Sequence, residues 1–116
     1  MSISFGGIGE MAVTFEATSD VQAGCPVKMS DNGKVTSCDE EDQLIGVAVY
    51  VSKDHFATVQ VKGYVSLPYS GETAPSVGFG QLSADGEGGV ASDSTNGREY
   101  LIIDVDTTAE TVGFYM

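Results

Sequence analysis

Tryptophan is absent, histidine occurs once, lysine and arginine together number five, and cysteine occurs twice. Each shortage closes a class of function. With His55 alone there is no second imidazole to share a metal, and no nucleophile motif of the strand-turn-helix kind stands ready to recruit it into a triad, so His55 reads as a turn or strand-edge residue. Phosphate backbones and anionic lipid need Lys and Arg to replace released counterions. Five such residues against 17 acids leave neither nucleic acid nor a membrane surface as a partner. No apolar run approaches the roughly 20 residues of a spanning helix. The start, "MSISFGGIGE", lacks the basic residues, apolar stretch and cleavage site of a secretory signal, which implies synthesis in the cytoplasm. Cys25 and Cys38 form no CxxC pair, zinc would need two further ligands, and both read as thiols.

What is abundant is acid. The net charge of −12 is shared evenly: nine acids and three bases in residues 1–58, eight acids and two bases in residues 59–116, so −6 in each half. Such a surface favours solubility and steers the protein toward a partner with a basic face. Asp39, Glu40, Glu41 and Asp42 are consecutive and lack the alternation of an EF-hand loop, so they describe a solvated turn. Asp85, Glu87 and Asp93 are better spaced but match no known cation loop. "GFGQLSADG" lacks the Gly-Lys-Ser/Thr ending of a phosphate-binding loop and opens no helix. No metal and no cofactor are expected.

Apolar residues make up 41% and charged residues 19%, a globular balance, and the apolar ones alternate with polar ones in short runs closed by Gly, Asn, Asp or Pro. "MAVTFEA", "LIGVAVYVS", "HFATVQVKGYVSLPYS", "REYLIIDVD" and "TVGFYM" read as strands. "CPVKMSDNGKVTS" reads as a hairpin around Asp31-Asn32-Gly33, and two brief strands are expected near Phe79 to Ser83 and Gly89 to Ala91. "SCDEEDQL" offers a capping-box spacing, enough for one helical turn only. The fold class is all-β, a small antiparallel barrel or sandwich with little or no helix and no evident internal repeat. The expected organisation is a flexible N-terminal arm over 1–9 and a single β domain over 10–116. The apolar phase of the strands places Val13, Phe15, Val27, Val35, Ile45, Val47, Val49, Val59, Val61, Val65, Leu67, Leu101, Ile103, Val105 and Phe114 in the core.

"AGCPVKMSDNGKVTSCDEEDQLIGVAVY" followed by "ATVQVKGYVSLPYSG" resembles the small phage head decoration proteins, which stabilise capsids. The resemblance rests on Gly24, Pro26, Val27, Ile45, Gly46, Val47, Ala48, Val61, Gly63 and Val65. Cys25 departs from it, since a small or acidic residue is expected there. It implies a non-enzymatic virion protein, made in the bacterial host cytoplasm, that binds the major capsid protein on the outer surface of the assembled head, as a homo-oligomer and often in threes. A clamp of that kind stabilises by mass action, because it binds the assembled shell and not the separated subunits. Ile3, Phe5 and Ile8, set among Gly6, Gly7 and Gly9, are the candidate capsid contacts, as an arm that orders on a sheet edge.

Two other readings compete. A fibre-base or carbohydrate-binding adhesion module would need exposed aromatics, with Tyr50, Tyr64, Tyr69 and Tyr100 as candidates if they cluster. An enzyme would need paired carboxylates in a cleft, drawn from Asp85, Asp93, Asp104 or Asp106.

Overall fold

The computed structural model describes residues 10–116; Ile3, Phe5 and Ile8 lie outside the described residues. Ten strands form along the chain, and no helix forms among the described residues: β1 (Met11–Ala17), β2 (Pro26–Asp31), β3 (Lys34–Ser37), β4 (Gly46–Val51), β5 (Phe56–Lys62), β6 (Tyr64–Ser70), β7 (Gly78–Ala84), β8 (Val90–Ser92), β9 (Arg98–Asp106) and β10 (Thr111–Tyr115). The all-β expectation holds, in the form of two small closed barrels ordered β1-β3-β2-β4-β5 and β10-β6-β8-β7-β9. Each is antiparallel except for one parallel pair that completes the ring, β1 with β3 and β6 with β8. "SCDEEDQL" forms no helical turn. The Asp42 carboxylate accepts from the Asp39 N–H at 2.8 Å, and Glu41 takes a left-handed φ of 70°, which a helix does not tolerate.

The second barrel repeats the pairing of the first, strand for strand. Matching residues through four of the strand pairs aligns Ala17 with Tyr69, Val27 with Leu82, Val35 with Val90, Ala48 with Ile102 and Val59 with Phe114, and all ten are buried, while the remaining pair is shifted by two residues, Val27 standing opposite Gly46 but Leu82 opposite Arg98. Even the irregularities recur. Val49 on β4 and Ile103 on β9 are each one residue too many opposite their neighbour strand, a β-bulge at the same place in both barrels. The turn that follows ends on a left-handed residue in each case, His55 (φ 62°) and Glu110 (φ 56°). What recurs is burial and pairing, not residue identity, so repetition escapes inspection of the sequence.

The bulges also correct the expected core. A strand switches its inward phase across a bulge, so on β9 Tyr100 and Ile102 face inward before it and Val105 after it, which leaves Leu101 exposed and Ile103 half-buried. On β4 the same switch exposes Val49, and the buried stretch of the strand is Gly46, Val47 and Ala48. Val13, on β1 of the first barrel, is exposed. Phe15, Ile45 and Val61 are half-buried against that barrel's core of Val21, Val27, Val35, Ala57 and Val59.

The barrels meet through a built joint. Gly63, alone between β5 and β6, takes φ 107°, and exchanges two backbone hydrogen bonds with Met116. A side chain at Gly63 would lie 2.9 Å from the Glu10 Cγ. From the first barrel, the β3–β4 loop inserts Leu44, which with Cys38 and Val47 belongs to the apolar cluster of the second barrel around Val65, Leu67, Tyr100 and Phe114. Tyr100 donates its hydroxyl to the Leu44 carbonyl at 3.3 Å, and its ring packs on Phe114 at 5.0 Å between centroids. The Glu41 N–H donates to the Ala84 carbonyl, and the Ala84 N–H to the Asp42 carbonyl, each at 2.9 Å.

Candidate functional site

The acidic residues that draw attention in the sequence are occupied in holding loops. Asp85 accepts from the Glu87 N–H at 2.7 Å, the Gly89 N–H at 2.9 Å and the Ser70 hydroxyl at 2.9 Å, fixing the turn between β7 and β8. Asp93 accepts from the Thr95 and Asn96 N–H groups and from Ser83, and the bond from Asn96, then that from Ser83, holds its carboxyl below the usual range. Asp106 accepts from the Thr108 and Ala109 N–H groups, and Asp104 from the Tyr64 hydroxyl at 2.9 Å. Asp42 pairs with Lys28 at 2.6 Å; the bond from Lys28 lowers the carboxyl's pKa, and the bond to Asp42 raises that of the lysine. Asp20 is lowered by its bond from Thr18. Among the described residues, no three His, Cys, Asp or Glu side chains gather closely enough to hold a metal ion. His55 sits exposed in the β4–β5 turn.

Cavities among the described residues have linings that mix polar and apolar surface. One of about 230 Å³ lies between the barrels against Gln22, Cys25, Cys38, Gly86 and Gly88. Both thiols line it and both are free. Burial pushes the Cys38 thiol up to about 12, which makes it unreactive at neutral pH. The other, about 400 Å³, is lined by Glu40, Glu41, Ser83, Asp93 and Asn96, whose carboxylate at Asp93 is already committed.

The tyrosines do not assemble a sugar-stacking face. Tyr69 and Tyr100 are buried in the second barrel, Tyr64 is half-buried on its outside, and Tyr50 is exposed on the first barrel. What the surface does carry is apolar. On the second barrel Phe79 pairs with Leu101, Leu101 with Tyr115 and Tyr115 with Tyr64, so the four stand in one row across β7, β9, β10 and β6 on the outer face. Phe79 is 74% exposed and Leu101 40%. Neighbouring strands lie about 4.8 Å apart, so the row runs about 14 Å. On the first barrel Val13 and Met29 are exposed. The sequence did signal this row: Phe79 lies between two glycines and out of phase with Leu82, the buried residue of its strand.

These features define a class: an all-β tandem of two like barrels, joined through the inserted β3–β4 loop, with exposed apolar residues on each barrel. Comparison with protein families and with curated proteins gives no match. Among solved structures, the chain is similar in fold to the head fiber gp8.5 N base of bacteriophage phi29, with a TM-score of 0.62 and 17% identity over 92% of this chain and 93% of that one.

Proposed function

We propose that this protein is a structural component of a phage virion, attached to the outside of the head and acting by shape and attachment, not by catalysis. The observation that carries this reading is the whole-length fold likeness to a phage head-fibre base, in which nearly all of both chains is matched. The sequence resemblance over Ala23 to Gly71 to head decoration proteins supports the same location. The physics agrees with it: the loop carboxylates are spent on hydrogen bonds within the fold, and the two barrels form a stiff block suited to bridging. A protein of this kind stabilises the shell because it binds the assembled state, and many modest contacts suffice.

Decoration of the capsid by many copies, through contact with the major capsid protein, is the favoured form, with Ile3, Phe5 and Ile8 as contacts. Service as the base of a fibre is the second reading, favoured by the nature of the structural neighbour. Mixing the purified protein with expanded heads, sedimenting them and then heating them tests both. Decoration gives binding in high copy number and a raised temperature of head disruption. A fibre base gives binding at few sites with no change in that temperature. Absence from the pelleted heads would contradict both. Deleting residues 2–9 is expected to abolish binding, and full retention would move the contact to the barrels. Added salt should weaken attachment to a basic surface by screening the −12 charge.

A further inference from the structure

Among the described residues no large apolar side chain is more exposed than Phe79, and its place in the second barrel explains why. β8 pairs with β7 only over Leu82–Ala84, so the stretch Gly78–Gln81 has β9 on one side and lies beyond the reach of β8 on the other. Gly78 and Gly80 flank Phe79 and give its ring no cover along the strand. Nor can the ring turn inward, because the space beneath β7 is filled: a Cβ at Gly80 would stand 3.0 Å from Ile102 Cδ1. Leu101, directly opposite Phe79, is exposed beside it. Acids rim this pair on the same outer face. Glu99 stands opposite Gln81, one row to one side of Leu101, and Asp104 stands beyond Ile103 on the other, and both are exposed. The whole second barrel shares that sign: residues 64–116 hold eight acids and one base, −7, whereas residues 10–62 hold nine acids and four bases, −5. The one base, Arg98, lies with its guanidinium 5.4 Å from the centre of the Tyr100 ring.

Resting on the proposed place on a phage head, we infer that Phe79 and Leu101, rimmed by Glu99 and Asp104, are a docking surface for a basic face of the head shell, one that offers an apolar recess to the Phe79 ring with lysine or arginine around it. Charge selects this occupant. A second copy would bring its own net charge of −12 against an acidic rim, and nucleic acid or anionic lipid would be repelled in the same way. A protein surface carrying cations is drawn to the rim, and an exposed aromatic ring beside a leucine is the kind of anchor on which binding energy concentrates once water is excluded. The patch thus adds a contact on the second barrel to that assigned to Ile3, Phe5 and Ile8. Two contacts on one chain strengthen each other, so loss of either weakens attachment by more than its own modest affinity implies.

Titration of purified expanded heads with the full-length protein, followed by sedimentation, tests the inference with three double variants. Phe79→Ser with Leu101→Ser removes the anchor, and should bind at least about tenfold more weakly than the wild type. Both positions are exposed, and a matching thermal transition confirms folding; Phe79→Lys, which also sets a cation against the basic face, serves if the double variant unfolds. Glu99→Gln with Asp104→Asn removes the rim, and should weaken binding and reduce its loss on adding salt. Asp31→Asn with Asp54→Asn takes the same charge from turns of the first barrel, and should weaken binding less. A wild type that binds heads while the anchor variant binds equally well would overturn the inference and leave the place on the head standing, as would equal losses for the two charge variants. A wild type that does not bind heads would overturn both. Self-association of the wild type alone, abolished by the anchor variant in sedimentation velocity, would assign the patch to a second copy and overturn the inference.

Discussion

Replacing Leu44 with alanine tests whether the two barrels are one cooperative unit. Leu44 belongs in sequence to the first barrel but is 1% exposed within the apolar cluster of the second, and its carbonyl receives the Tyr100 hydroxyl. Truncation removes three buried carbons and leaves a cavity that the surrounding strands, held by their ladders, cannot close. For a fully buried leucine in such a setting the loss is about 3–5 kcal/mol. At this chain length each kcal/mol shifts Tm by roughly 4 °C, so the expected fall is about 10–20 °C. The same change at Leu101, exposed on the outer row, should cost well under about 1 kcal/mol. Calorimetry and chemical denaturation of the two variants beside the wild type provide the comparison. The wild type and Leu101→Ala should each melt in one transition, because Leu44 and the backbone bonds at Ala84 tie the barrels together. A loss below about 1 kcal/mol for Leu44→Ala, or two separate transitions in the wild type, would refute the plugged joint.

Other outcomes follow from single contacts. A Cβ at Gly46 would stand 2.3 Å from the Gln60 carbonyl oxygen and 2.8 Å from Val59 Cγ1, so Gly46→Ala should cost about 2–3 kcal/mol or more in urea denaturation, and a change within about 0.5 kcal/mol would show that β4 can move away. Under native conditions a thiol reagent should modify the half-buried Cys25 and leave Cys38 intact, because burial raises Cys38 to about 12; rapid reaction of both thiols would contradict that environment. The Asp42 carboxyl is held below its ordinary value of 3.8 by Lys28, so its contribution to stability is complete above that pH and is lost as pH falls through the lowered folded-state value. Asp42→Asn should therefore lower stability at pH 7 by no more than about 1 kcal/mol, given the pair's partial exposure, and should flatten the acid limb of the stability curve; an unchanged acid limb would show that the pair contributes nothing.

The all-β class was legible because β strands write their burial as alternation, and the turn chemistry was legible where it depends on one residue. Gly33 at φ 67° closes the β2–β3 hairpin after Asn32, as the Asn-Gly pair implies. Three glycines among the residues that carry the decoration-protein resemblance also have physical reasons: Gly24 and Gly63 take positive φ, and Gly46 lies against the neighbouring strand. Closure into two barrels was not legible, because it depends on parallel pairs only two residues long between segments more than fifteen residues apart. The repetition was hidden by size exchange, Ala17 for Tyr69 and Ala48 for Ile102, which keeps burial while changing the letters. The apolar row was missed for the reason that Val49 and Leu101 were misplaced: strict alternation is broken by a bulge, and the residues beyond it point the other way. Of the site, the loop acids read correctly as turn residues, whereas the suggested capsid contacts Ile3, Phe5 and Ile8 lie outside the described residues.

The central claim is a place on the outside of a phage head. Gold-labelled antibody against the purified protein, applied to intact purified virions of the phage that carries the gene and viewed by electron microscopy, tests it most directly. Label over the head surface, lost when the gene is deleted, is the expected result. Virions that carry none of the protein, or label confined to the tail, would contradict it.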